Sequence, residues 1–476
     1  MKAAASRRFF AVFLFWLLLA PAAGARNIYV RLSQTGDYAI ASDGTMTLSS
    51  SGNTFALGKS ASLKVTGARV IVGGKAFSLP VHIMSQGLLR FNGRQYRGIF
   101  MVTQKAGLLN VLDVEQYLCG VLPAEVGASW PAEALRAQAI ISRTYALRKS
   151  LDRAQRGYDV VDTVSDQVYR GAGVETAKTN KAVSSTADLV LTYGKQLAFT
   201  PFHSDSGGYT ANNAHVWGER VPYLTGVAEP IAYTSPVSSW SAKIPRSTVE
   251  RAVAKTSGGG NIAPISEVRV SEVDRGGRAV NMTFVGAKGT RTLKASQFRL
   301  SMGASLLKST MLTPTASAAS SKAAASRSRA AGQEPAPMQD KSGGLSLEEA
   351  KLLSQMTAEG VFQTLEIIDM LSNPGKKRDY YNLGLKRTNR TPIAAMKKER
   401  RSSKSVPSLP VPSAPESSKG GFTVARSGDT FLFYGRGWGH GVGLSQWGAM
   451  ALAKNGWNAE RILTYYYPGT AVRRYQ

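Results

Sequence analysis

One cysteine, Cys119, and four histidines, His82, His203, His215 and His440, are all that the 476 residues hold of the side chains that most often ligate transition metals. A single thiol excludes an intramolecular disulfide and a cysteine-rich zinc site. A histidine-based metal site would have to draw on those four rings. Acidic residues are also scarce: 31 Asp and Glu face 59 Lys and Arg, for a formal charge of +28. Beyond residue 20 no second long apolar run occurs, and a membrane-spanning helix needs about 20 such residues. Core-forming residues are plentiful, at 43% hydrophobic and 9% aromatic. That excludes wholesale disorder and collagen-like or coiled-coil architectures. The length suits roughly two or three domains.

The first 25 residues read as a secretory signal peptide. Lys2, Arg7 and Arg8 precede an apolar run from Phe9 to Ala20, and Ala23-Gly24-Ala25 is a small-residue cleavage signature. The expectation is export to the periplasm, cell envelope or medium, with cleavage after about Ala25. Losing those three cations takes the charge from +28 to +25. Outside the cytoplasm, the polyanions that such a surface meets are anionic wall polymers and lipid head groups, not nucleic acid.

The chain reads as an α+β fold. Residues 27–112 alternate as short strands, with a hairpin around Asn92-Gly93. Ser129 is placed to cap a helix running to about Leu151, with Pro131 in its first turn. Residues 186–302 mix strands with a helix near Ser247–Ala254. Composition collapses in 313–420, an insertion rich in Ala, Ser and Pro. Ser346-Leu347-Glu348-Glu349 opens an amphipathic helix there, near 346–371. From Lys376 to Lys404 eleven Lys and Arg face Asp379 and Glu399, a net +9. This basic insertion suits an anionic wall polymer or a membrane surface. Order resumes in 421–476, with a strand at Phe431–Tyr434 and helices at about Leu444–Lys454 and from Asn458 to before Pro468. The domain reading is therefore a core of 26–312 completed by 421–476 across the insertion.

Among residues able to carry chemistry, Glu125 stands out as an acid. It sits in the apolar run Val121-Leu122-Pro123-Ala124-Glu125-Val126, read as lying just before a helix. Apolar neighbours favour the protonated carboxyl and proton donation near neutrality, while a helix start would favour the anion. The loop Gly435-Arg436-Gly437-Trp438-Gly439-His440-Gly441-Val442-Gly443 has glycine at every second position, which permits backbone paths and close approaches that a Cβ would block. It lacks the Gly-Lys-Ser/Thr of a phosphate-binding loop. Trp438, with Gln446 and Trp447 beyond, suits a sugar, whose apolar face stacks on aromatics while His and amide groups bind hydroxyls. His203-Ser204-Asp205-Ser206 lacks a nucleophile-elbow pattern, so a hydrolytic triad is not expected.

Several collinear segments together resemble the SpoIID/LytB family, the sporulation stage II D and amidase-enhancer group of bacterial cell-wall proteins. They are residues 115–126 (Glu-Gln-Tyr-Leu-Cys-Gly-Val-Leu-Pro-Ala-Glu-Val), Trp130–Ala139, Ser142–Ala146, Gln167–Gly171, Phe202–Thr210, Val216–Gly218, Pro222–Leu224, Gly435–Ala449 and Tyr466–Thr470. The resemblance implies cleavage of peptidoglycan glycan strands by lytic transglycosylation, favouring strands stripped of stem peptides. Glu125 is the implied catalytic acid/base. One carboxyl suffices for that chemistry: it protonates the glycosidic oxygen, the C6 hydroxyl of muramic acid attacks C1, and no water needs activation. Gln138, Arg143, Tyr145, His203, Ser206, Trp438, His440, Ser445 and Gln446 are implied to line or support the groove, with the 435–447 loop bordering it. Where many relatives carry Cys, this chain has Asp166 and Ser206, so no metal and no cofactor is expected. The alternative that the resemblance allows is a non-catalytic wall-binding enhancer of a cell-wall amidase.

Overall fold

The computed structural model describes residues 26–33, 36–316, 382, 385, 418–419 and 421–475. The expected signal peptide, the helix expected near 346–371 and the basic stretch from Lys376 to Lys404, but for Asn382 and Leu385, lie outside the described residues. Contacts divide the chain into two units. The first comprises residues up to Ser129 together with Ser142–Ala187, and the second comprises Trp130–Ile141 together with everything from Asp188 onward.

The first unit opens with ten strands: β1 (Asn27–Ser33), β2 (Tyr38–Ser50), β3 (Asn53–Thr66), β4 (Arg69–Val72), β5 (Lys75–Ser78), β6 (Val81–Ser85), β7 (Leu89–Phe91), β8 (Arg94–Tyr96), β9 (Ile99–Thr103) and β10 (Gly107–Asp113). With the short β11 (Val160–Val161) they form a sheet in the order β11-β1-β10-β9-β6-β2-β3-β4-β5, and the β7–β8 hairpin pairs onto β2. Alternation drives burial, as in Val81 and Ile83 of β6 or Phe100 and Val102 of β9. The hairpin turns at Asn92 and Gly93, with φ of 48° and 73°. Two successive positive φ values make the turn that the sequence signals, because its twist matches the strands.

The chain passes directly from β10 into α1 (Val114–Glu125), whose N-cap Asp113 accepts from the Glu115 amide at 2.8 Å. This corrects the sequence reading. Glu125 ends one helix instead of preceding the next, so the favourable field of a helix start does not act on its anion. The signal was present, because Val114, Tyr117, Leu118, Val121 and Leu122 are buried at helical spacing. Gly120 and Pro123 disguised it.

The second helix, α2 (Ala132–Ser150), starts later than Ser129. Its first-turn bond runs from the Leu135 amide to the Pro131 carbonyl. Ala134, Leu135, Ala137, Ile140, Ile141, Ala146 and Leu147 are all buried, so α2 is a core helix with no polar stripe. A shorter helix, α3 (Ala177–Ser184), is opened by a capping box between Thr176 and Thr179.

In the second unit, strands before and after the insertion share sheets. Thr430–Gly435 pairs with Trp240–Pro245 and with Leu312–Thr313. Ala471–Arg474 pairs with Leu189–Tyr193, and Leu444–Ser445 runs parallel to Phe202–His203. One core packs Phe431 and Phe433 with Trp240, Ile244, Phe284 and Phe298. Another packs Leu444, Ile462 and Tyr467 with Ala137, Ile140, Leu191 and Leu224. The C-terminal part thus returns to the core laid down before the insertion, as the α+β reading expects. Helices Arg246–Lys255, Gln446–Lys454 and Ala459–Tyr466 fall within about two residues of their expected spans.

Candidate active site

In the first unit, Glu125 is half-buried at the C-terminal end of α1. Its Oε1 accepts the amide of Val168 at 2.6 Å. The segment Asp166–Gly171 lies along α1 through a series of such contacts. Tyr117 Oη donates to Gln167 Oε1 at 3.1 Å, and the Arg170 amide donates to the Gly120 carbonyl at 3.2 Å. The Tyr169 ring covers Gly120, where an added Cβ would stand 2.5 Å from Tyr169 Cε2. Gly120 is therefore required by close approach, and two motifs separated by about 45 residues prove to be one packed feature.

Tyr145 donates to Asp166 Oδ1 at 2.8 Å. Asp166 also takes the Val161 amide and the Lys149 ammonium, each at 3.0 Å. Burial would raise the Asp166 carboxyl, but these hydrogen bonds and the lysine outweigh it and hold it below its usual value. Burial first, and then the charge of nearby carboxylates including Glu125, pushes the Tyr117 and Tyr145 hydroxyls up. Both phenols stay protonated around Glu125.

Arg143 has a different setting. It is fully buried, and its fork meets Glu115, Nε to Oε1 at 2.7 Å and Nη2 to Oε2 at 2.6 Å, with a further bond to the Val183 carbonyl at 3.3 Å. It clamps α2 to α1 and α3.

In the second unit the glycine loop carries its expected side chains on a tightly constrained path. Gly439 has φ +126°, and a Cβ there would lie 2.6 Å from His203 Cβ. Gly441 has φ +88°, and a Cβ would lie 2.7 Å from the Arg278 guanidinium carbon. The His203 and His440 rings are 5.5 Å apart, and the Trp217 ring packs against His440 at 4.9 Å, tilted by 51°. Burial, then His440 and Arg278, hold His203 well below the usual range; burial, then Arg299, push His440 down to about 3. Both rings are neutral at pH 7. The Val442 amide donates to His440 Nδ1 at 3.0 Å, so the His440 proton sits on Nε2. Trp438 is 41% exposed and is fixed by backbone pairing with Asp205. Gln446 is buried, and Gln138 is buried on α2.

Ser206 and Ser445 are buried hydrogen-bonding groups of the core. The Ser206 amide donates to Ser445 Oγ at 3.3 Å, and Ser445 caps the following helix. Ser206 Oγ donates to Glu229 Oε1 at 2.7 Å, and Tyr466 Oη donates to Glu229 Oε2 at 2.6 Å. Burial raises the Glu229 carboxyl to about 7, against those hydrogen bonds. Sequence reasoning missed Glu229, because Ala228-Glu229-Pro230 lies in irregular chain with no pattern around it. It likewise missed Val168 and Tyr117 as the partners that hold Glu125 and its motif.

Glu125, Arg143 and Tyr145 therefore belong to the first unit. Gln138, His203, Ser206, Trp438, His440, Ser445 and Gln446 belong to the second.

Residues 102–193 match the family described as SpoIID, Stage II sporulation protein. Among similar proteins, an uncharacterised protein of Brachyspira hyodysenteriae is 37% identical over 29% of this chain and 38% of its own length. An amidase enhancer of Bacillus subtilis is 25% identical over 75% of this chain and 40% of its own. A stage II sporulation protein D of the same organism is 24% identical over 76% of this chain and 74% of its own. The chain thus spans about two fifths of the length of the first two of these relatives.

Proposed function

We propose that this SpoIID-type chain is exported to the cell envelope and cleaves peptidoglycan glycan strands there by lytic transglycosylation, with Glu125 as the general acid and then the general base. The observation that carries the reading is the setting of Glu125. It is half-buried at the end of α1, with Oε1 anchored on the Val168 amide at 2.6 Å and protonated Tyr117 and Tyr145 around it. An anchored carboxyl is what proton transfer to a glycosidic oxygen requires. The reaction then needs one such group: the acid protonates the leaving oxygen, and the resulting carboxylate removes the proton of the C6 hydroxyl as that oxygen closes on C1, giving a 1,6-anhydro end. The exposed Trp438 and Trp217 side chains of the second unit offer aromatic faces suited to sugar rings. The excess of basic residues favours a polyanionic wall.

Purified, peptide-free glycan strands test the reading. Release of anhydro-muramoyl products supports it; recovery of intact strands speaks against it. The second reading rests on the similar protein named an amidase enhancer. It predicts co-sedimentation with wall sacculi, no released sugar, and faster digestion by an added cell-wall amidase.

A further inference from the structure

A cavity of about 260 Å³ in the second unit is bordered by Val216, Trp217, Lys294, Arg299, Leu300 and His440. Its volume suits one sugar ring and not a strand. Trp217, 44% exposed, gives it an aromatic wall backed by His440. Its charge is one-sided, with no Asp or Glu in its lining. Arg299 is only 7% exposed, and its Nε and Nη2 share a single acceptor, the Lys308 carbonyl, at 3.1 and 2.9 Å. Among the described residues no carboxylate forms an ion pair with it. Lys294 adds a second cation, its Nζ 3.8 Å from where a Cβ on Gly218 would stand, beside Trp217. Arg278 lies close by and donates to Thr310, another residue of the lining.

A buried guanidinium is costly unless an anion accompanies it. The cost is visible in two places: burial and Arg278 push Arg299 down to about 10, and Arg299 in turn depresses His440. Planar, forked recognition of a carboxylate is what arginine does best.

We infer that this cavity is a subsite for a carboxylate-bearing sugar, the ring lying on Trp217 and the carboxylate meeting Arg299 and Lys294. Which sugar rests on the peptidoglycan reading above: a muramoyl residue whose lactyl carboxylate is free of peptide. A stem peptide converts that carboxylate to an amide and removes the charge that the cations address. A peptide's own terminal carboxylate is the other source of the same chemistry, and the probes separate the two.

The test is titration calorimetry on the full chain carrying Glu125→Gln, so that turnover does not interfere. The probes are N-acetylglucosaminyl-N-acetylmuramic acid, di-N-acetylchitobiose and N-acetylmuramoyl-L-alanyl-D-isoglutamine. The expected result is tightest binding of the first, with the other two weaker by about tenfold, the scale of one charge-assisted hydrogen bond. Lys294→Glu, at an exposed side chain, should reduce binding of the first probe to the level of chitobiose. Arg299→Leu should do the same, and the first probe should raise the pH at which the His440 ring titrates by NMR. Equal binding of chitobiose, tighter binding of the peptide-bearing probe, or an unchanged affinity in Lys294→Glu overturns the proposal. If the subsite discriminates while the wild-type chain leaves strands intact, the cleavage reading fails and the subsite stands. If strands are cleaved without carboxylate discrimination, the subsite fails alone.

Discussion

The Val168 amide points at Glu125 Oε1 from 2.6 Å, across a gap of 43 positions in sequence. This bond joins the two motifs that carry the strongest first-unit resemblance, and it gives each a physical role. The stretch ending at Glu125 supplies the carboxyl. The stretch around Gln167-Val168-Tyr169 supplies the donor that orients it, and Gly120 allows the second to lie against the first.

Gly120→Ala tests that arrangement. The new Cβ would come within 2.5 Å of the Tyr169 ring and 2.8 Å of the Gly171 carbonyl, so the segment must move off α1. Overpacking of this kind costs about 1–3 kcal/mol. Thermal unfolding should show that loss, and strand cleavage by the folded fraction should fall with it.

Arg143 is expected to act through the fold. Arg143 is fully buried while Glu115 is 27% exposed, so removing the guanidinium strips a partly desolvated carboxylate of this partner, and Arg143→Ala should lose about 1–3 kcal/mol in urea titration. Arg143→Lys restores the charge without the fork that spans both oxygens of Glu115, so it should recover only part of the stability. Activity per folded molecule should change far less than stability.

Glu229 predicts a pH dependence with a definite sign. Its folded-state value of about 7 exceeds the usual 4.5, so the folded chain holds a proton that the unfolded chain releases. The contribution of Glu229 to stability is therefore fully present below about pH 4.5, is lost as pH rises toward 7, and does not change further above it. The shift corresponds to about 3 kcal/mol. Glu229→Gln cannot ionise, so its unfolding free energy should lack this slope and exceed that of the wild type at pH 8.

Much of this was legible in the sequence, and the gaps have physical causes. The Asn92-Gly93 hairpin and the three C-terminal-half helices announce themselves through local turn chemistry and caps. The return of residues 421–475 to the core was legible because motifs on both sides of the insertion belong to one set. Helix α1 was overlooked because Gly120 and Pro123 carry low helix propensity, and tertiary burial of Tyr117 and Val121 overrides it. Glu229 and the Arg299 cavity could not be read at all. Both arise from chain segments brought together over long separations, with no periodicity to mark them.

In the proposed reaction Glu125 moves the proton that breaks a sugar–sugar bond. Mass spectrometry of products from peptide-free glycan, comparing the wild type with Glu125→Gln, tests it most directly. The wild type should release 1,6-anhydro-muramoyl ends, and the variant should lose about 10²–10⁴-fold of that release with its fold intact. Undiminished release by Glu125→Gln, or ordinary reducing ends from the wild type, would contradict it.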